Sequence, residues 1–112
     1  MNGLTSHVLD LALGQPAGGL LVRLEAVTGN SWRLLASAIT DGDGRTGDLL
    51  AGAALAEGVY RLLFDTGAYF STAGRESFYP HVEVTFRVTI SGQHHHIPLL
   101  LSPFGYSTYR GS

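Results

Sequence analysis

The reactive side chains of this 112-residue chain are five histidines and seven arginines, with no lysine and no cysteine. Three of the histidines are consecutive, His94-His95-His96, and a fourth, His7, lies near the start. In a strand, successive side chains alternate in direction, so His94 and His96 share one face and His95 takes the other. An imidazole with an ordinary pKa near ~6.5 can accept and return protons at neutral pH. Arg45 follows directly on the glycine-punctuated turn Asp41-Gly42-Asp43-Gly44. A guanidinium is always charged and forks onto carbonyl or carboxylate oxygens, which suits a planar, polyoxo, anionic substrate. The last four residues, Tyr109-Arg110-Gly111-Ser112, bring an aromatic ring, a guanidinium and a hydroxyl together beside a carboxylate. That is a dense set of recognition groups, unlike the small, charge-rich residues of a solvated tail. The chemistry these residues could perform is attack of an activated water on a carbonyl, with neither metal nor cofactor.

What is missing narrows the choice. Without lysine there is no Schiff-base chemistry. Without cysteine there is no disulfide, no thiolate nucleophile and no Cys-ligated zinc. The net charge of −2 argues against a nucleic-acid partner, which calls for a basic stripe. Only 14% of residues are charged, against ~25% in an average globular chain. Part of the surface is therefore expected to lie against another subunit. No apolar run approaches the ~20 residues that span a membrane. No basic, then apolar leader is apparent, and the expected setting is the cytoplasm. The length fits one domain over residues 1–112. A chain of this size buries roughly 60–70% of its unfolded surface, so any site within it should be shallow.

The elements that position these groups read as short strands. Leu4 to Asp10 alternates, with Leu4, Ser6 and Val8 on one face and Thr5, His7 and Leu9 on the other. Leu20–Val27, Trp32–Thr40 and Gly58–Asp65 are rich in leucine, valine and aromatic residues and are bounded by glycine-containing turns. His81 to Ile90 alternates most clearly, with Val82, Val84, Phe86, Val88 and Ile90 on one side. Ser91-Gly92-Gln93 turns the chain into a strand from His94 to Leu101, and a last strand runs from Phe104 to Gly111. Thr66 to Arg75 is the one stretch that reads as a short helix. Seven or eight short strands with frequent turns predict an all-β, antiparallel sandwich.

Ile97, Leu99 and Leu101 form the core stripe of the His94–Leu101 strand. His94, His96, Pro98 and Leu100 then face outward, and that face is too apolar for open water. His7 faces outward beside Leu9 by the same argument, and Arg45 is placed to reach over such a face. Duller or different readings exist for each group. A histidine at a strand start can simply be exposed. His7, His94 and His96 could make a three-histidine zinc site. Asp41-Gly42-Asp43-Gly44 lacks the ligand spacing of a calcium loop and reads as a turn. Tyr60, Tyr69 and Tyr79 read as packing residues, and His81 as structural.

The run from His94 to Ser112, ending in Tyr109-Arg110-Gly111-Ser112, resembles the C-terminal signature of the transthyretin-related 5-hydroxyisourate hydrolases. That ending marks the enzyme branch and is absent from the hormone-carrying transthyretins of the same fold. His7-Val8-Leu9-Asp10 and Asp43-Gly44-Arg45 match as well, as do Gly58-Val59-Tyr60 and Phe78-Tyr79-Pro80-His81. The resemblance implies a transthyretin-like (prealbumin-like) sandwich of two four-stranded sheets with one short helix near residues 66–75. It implies a homotetramer, a dimer of dimers, with active sites in the channel between dimers. It also implies hydrolysis of 5-hydroxyisourate, without a cofactor, by a catalytic set of His7, Arg45, His96 and Ser112. His7, Arg45 and Tyr109 would bind the substrate. A non-catalytic small-ligand carrier on the same fold is the rival reading. One position departs from the family pattern, where His95 replaces an aromatic residue such as tyrosine. Alternation puts it on the side opposite His96. It also separates Tyr109 from Arg110, so that only one of them should face the channel; the resemblance implies that this is Tyr109, which leaves Arg110 as a structural or inter-subunit contact.

Overall fold

Alternating burial carries the architecture. In a computed structural model that describes residues 3–112, Leu4, Ser6, Val8 and Asp10 are buried along one side of the first strand, and Thr5, His7 and Leu9 are half-buried on the other. The elements, in chain order, are β1 (Leu4–Asp10), β2 (Gln15–Pro16), β3 (Leu21–Thr28), β4 (Ser31–Ile39), β5 (Gly58–Phe64), α1 (Thr66–Thr72), β6 (Val82–Val88), β7 (His95–Ser102) and β8 (Gly105–Thr108). They form two four-stranded sheets of order β2-β1-β7-β8 and β4-β3-β5-β6. Their inward faces close on one core that includes Val8, Val22, Leu24, Leu62, Phe64, Ile97, Leu99 and Leu101. Ile97, Leu99 and Leu101 are thus the core stripe of β7, as alternation predicts. Among the described residues no helix is long and apolar enough to cross a membrane.

The expected antiparallel pattern holds for every strand pair except one. β1 and β7 pair in parallel. The whole β4-β3-β5-β6 sheet lies between them in the chain. No tight hairpin joins them, so nothing forces an antiparallel pair, and a long connection permits the parallel one. Two strand ends also differ from expectation. β6 stops at Val88, and Ile90 is 61% exposed in the turn beyond it. The final strand ends at Thr108, and Gly111 rejoins the sheet through an isolated bridge to His96.

The helix stops three residues short of the expected Arg75. The Arg75 amide donates to the Phe70 carbonyl (2.9 Å) and the Gly74 amide to Ser71 (3.0 Å), with Gly74 at φ +68°. This is the glycine-terminated wrap that ends helices once a residue takes the left-handed conformation. It also sends Arg75 back across the helix. The Arg75 Nη1–H donates to the Asp10 Oδ2 at 2.7 Å, and the Tyr69 hydroxyl donates to the same oxygen at 2.8 Å. Tyr69 is therefore more than a packing residue. Asp10, fully buried on β1, is where the helix is tied to the sheet.

Candidate active site

The register of β1 against β7 places Thr5 opposite His96 and His7 opposite Pro98. Strands pair about 4.8 Å apart, so the outward side chains of Thr5 and His96 are immediate neighbours, with His7 one step along. Each strand gains a further backbone neighbour here: Arg45 bridges to His7, and Gly111 bridges to His96. Four chain segments, distant in sequence, thus lie side by side across one face.

The turn before Arg45 is built to deliver it. The Asp41 Oδ1 accepts from the amides of Asp43 (2.9 Å) and Arg45 (3.0 Å). The Arg45 hydrogen bond is the largest influence holding the Asp41 carboxyl below its usual range. The carboxylate closes its own loop, as the turn reading expects. Gly44 sits at φ +76°, and a Cβ there would lie 2.3 Å from the Val8 carbonyl oxygen. Only glycine lets the loop press against β1 so closely. The His7 Nε2–H donates to the Asp43 carbonyl at 2.8 Å, which fixes the ring against this loop.

A depression of about 280 Å³ opens beside these groups, lined by Thr5, Ser6, Arg45, Gly47, His94, His96 and Ser112. His7, expected here, is not among the lining residues, but it is near enough for its charge to act on His96. Burial lowers the pKa of the His96 imidazole, the charges of Arg45, His7 and His94 push the same way, and a hydrogen bond with the Thr5 backbone opposes them. His96 is accordingly a neutral base at neutral pH. The Thr5 Oγ1 lies 2.7 Å from its Nδ1, so it is the Nε2 that remains for the site. A neutral imidazole beside a permanently charged guanidinium is an arrangement capable of assisting attack by water on a carbonyl. Alternation had placed Thr5 on the outward face, but its proximity to His96 comes from register alone.

Gly111 explains the penultimate residue of the chain. Its amide donates to the His96 carbonyl at 2.8 Å. An added Cβ would stand 2.5 Å from the Cδ2 of the His96 ring. Gly111→Ala therefore has to push the imidazole aside. A shift on the order of 1 Å in a reacting group can cost about a hundredfold. We expect that order of loss in kcat/KM, with the melting temperature changed little, as steady-state kinetics beside thermal unfolding would measure.

Tyr109, expected at the site, lies elsewhere together with Arg110. β8 ends at Thr108, so alternation does not extend through the terminus, and Tyr109 and Arg110 both line a second cavity of about 230 Å³ with Val84, Phe86, Arg87, His95 and Ile97. Within one chain, neither lines the His96 depression. The expected separation of Tyr109 from Arg110 by alternation is thus not what the structure has. His95 is on the side opposite His96, as predicted. It is 6% exposed, faces Phe86 across the sheets at 6.5 Å, and its Nδ1 has no hydrogen-bond partner among the described residues. The three-histidine zinc reading does not match the geometry. Among the described residues no group of three or more His, Cys, Asp or Glu side chains is arranged to hold a metal. His7 is turned to the Asp43 carbonyl, and the Thr5 hydroxyl stands between His94 and His96.

The sequence profile of the HIUase/Transthyretin family matches residues 4–111. The chain belongs to the HIUase/Transthyretin family. Within this family it is 49% identical over 111 residues to the 5-hydroxyisourate hydrolase of Mus musculus, covering 97% of this chain and 94% of that protein. The structure of Klebsiella pneumoniae 5-hydroxyisourate hydrolase superposes with a TM-score of 0.87 at 40% identity, covering 99% of this chain and all of that one. Sea bream transthyretin in complex with thyroxine superposes with a TM-score of 0.86 at 33% identity, covering 97% and 94%. The two TM-scores are nearly equal, so the backbone does not separate the hydrolase from the thyroxine-binding member of the family. The side chains at the site must do so.

Proposed function

We propose that this chain is a 5-hydroxyisourate hydrolase that opens the cyclic amide of 5-hydroxyisourate, the unstable product of urate oxidation, without metal or cofactor. The observation that carries this reading is the depression lined by Arg45, His96 and Ser112, with His7 near enough for its charge to act on His96. A carrier site has no use for a neutral base held beside a fixed cation.

The His96 Nε2 takes a proton from water as the water oxygen attacks the ring carbonyl. Arg45 binds the carbonyl oxygen and meets the negative charge that develops on it. The C–N bond breaks as the tetrahedral state collapses, and the proton held on His96 passes to the departing nitrogen. His7, fixed by Asp43, orients water and substrate, and Ser112 bounds the pocket with its hydroxyl. At about 280 Å³ the depression is just below the ~300–1,000 Å³ typical of small-molecule sites, which supports completion of the site by another copy. We assign a homotetramer, a dimer of dimers, with the site in the channel between dimers and the cytoplasm as its setting. Tyr109, which lines a different cavity of its own chain, would contribute to substrate binding only through that assembly.

The test is direct. Generate 5-hydroxyisourate from urate with urate oxidase and follow its ultraviolet decay with and without the protein. Accelerated decay that survives chelator treatment is expected. Decay at the spontaneous rate would remove the enzyme reading and leave the carrier.

A further inference from the structure

The Thr5 hydroxyl stands between two imidazoles. Its Oγ1 is 2.7 Å from the Nδ1 of His96 and 3.3 Å from the Nε2 of His94. We propose that Thr5 is a positioning residue that locks His96 in the tautomer protonated on Nδ1, with His94 as the third member of the chain. This rests on the reading of His96 as the base. A hydroxyl has one proton to donate and lone pairs to accept with. Two arrangements therefore satisfy the chain. In one, the His96 Nδ1–H donates to the Thr5 oxygen, and the Thr5 O–H donates to the His94 Nε2. In the other, every donor and acceptor is reversed, and His96 presents an Nε2–H to the depression.

Electrostatics chooses between them. Arg45 lines the same depression, and its charge acts on His96. A lone pair turned toward a fixed cation is favourable, and an N–H turned toward it is not. The first arrangement leaves that lone pair on Nε2, where a water-activating base needs it. An imidazole free in water has no such constraint, and which nitrogen carries the proton is set by the partner of the other. Thr5 is held in place by the continuous β1–β7 ladder, in which it is the direct partner of His96. The hydroxyl is therefore preorganised and does not have to be recruited.

Thr5→Val keeps the branched shape suited to a strand and removes only the hydroxyl. It should lower kcat about ten- to a hundredfold with KM changed little, because the base is still present but spends most of its time in the wrong tautomer or rotamer. Thr5→Ser should restore most of the rate. Nitrogen chemical shifts of the His96 ring, read by NMR on the labelled full-length protein, should report protonation on Nδ1 in the wild type and in Thr5→Ser. In Thr5→Val they should move toward protonation on Nε2. A merely structural threonine would not move that signature. His96→Ala in the same assay separates the two ideas. If His96→Ala is inactive while Thr5→Val has wild-type kinetics and an unchanged tautomer, the lock is refuted and the base survives. If His96→Ala keeps full activity, the reading of the base fails first. Should Thr5→Val fold poorly, an Nε2-protonated His96 in the wild-type spectrum overturns the lock by itself.

Discussion

His96→Ala and Arg45→Ala should each reduce kcat/KM for 5-hydroxyisourate by at least about a hundredfold. Removing a positioned general base typically costs about 10²–10⁴-fold. Removing a charge aimed at a developing oxyanion costs on the order of 10²–10³-fold, or about 3–4 kcal/mol of transition-state stabilisation. Both act on one carbonyl, so their losses should not add in the double variant. Neither substitution should disturb the fold. Arg45 is exposed, and the outward side chain of His96 lies off the core stripe of Ile97, Leu99 and Leu101. The pH profile supplies an independent check. Burial and the charges of Arg45, His7 and His94 lower the His96 pKa from its ordinary 6.5. The active form is the neutral one, so activity is retained as pH falls below neutrality and is lost only through the lowered pKa. The acid limb of kcat/KM should lie below 6.5, with unit slope. An acid limb above 6.5, or full turnover by His96→Ala, would defeat the assignment.

The largest expected effect on stability is at Asp10. Its carboxylate is fully buried and accepts from Arg75, Tyr69 and the Leu13 amide. Burial pushes the Asp10 pKa up. The hydrogen bonds from Arg75, Tyr69 and Leu13, with the charge of Arg75, outweigh it and leave the carboxyl below its usual 3.8. Arg75 also lies over the Phe70 ring, 4.9 Å from its centroid, so one guanidinium joins helix, core and β1. Removing one partner strands the other. Breaking a buried pair costs about 3–5 kcal/mol. Because Arg75 keeps 21% of its side chain exposed, the lower end applies. We expect Arg75→Ala or Asp10→Ala to cost about 3 kcal/mol, which lowers Tm on the order of 10 °C for a chain of this size. Measurements should be made at matched protein concentration, since assembly would shift Tm. The lowered pKa fixes the pH dependence. A carboxyl that titrates lower in the folded than in the unfolded state contributes fully above the unfolded pKa, and that contribution is lost as pH falls through the folded one. The gap between wild type and Asp10→Asn should therefore begin to narrow below about pH 4 and close as pH falls through the lowered pKa of the folded state. A gap that stays constant into acid would mean that the charge is not what matters.

Much of the site's composition is local in origin and could be read from residue order. Alternation is a property of each strand's backbone. It assigns His7 and His96 to outward faces and His95 to the interior with no knowledge of the partner strands. The Asp41–Gly44 turn is equally local, because its hydrogen bonds close within five residues, and it delivers Arg45. The family signatures at His7, Arg45 and the terminus point to the same surface.

What the tertiary structure alone decided is register and direction, and here the feature that marked the chain's end looks different. Residue order shows that Tyr109-Arg110-Gly111-Ser112 is chemically dense, but not how its members divide. In the fold Ser112 goes to the His96 depression, Gly111 supplies the clearance for the His96 ring, and Tyr109 and Arg110 turn together toward a separate cavity. Thr5 meets His96 across 91 residues of chain, and Asp10 meets Arg75 across 65. A strand's own pattern says which face a side chain takes. It says nothing about which residue of a distant strand lies beside it, because a slide of two residues along the partner preserves both faces and changes every neighbour. The parallel pairing of β1 with β7 was hidden for the same reason. Packing of the two sheets selects one register among those that alternation allows, and only that choice sets the His96 imidazole beside the Thr5 hydroxyl and within reach of the Arg45 charge.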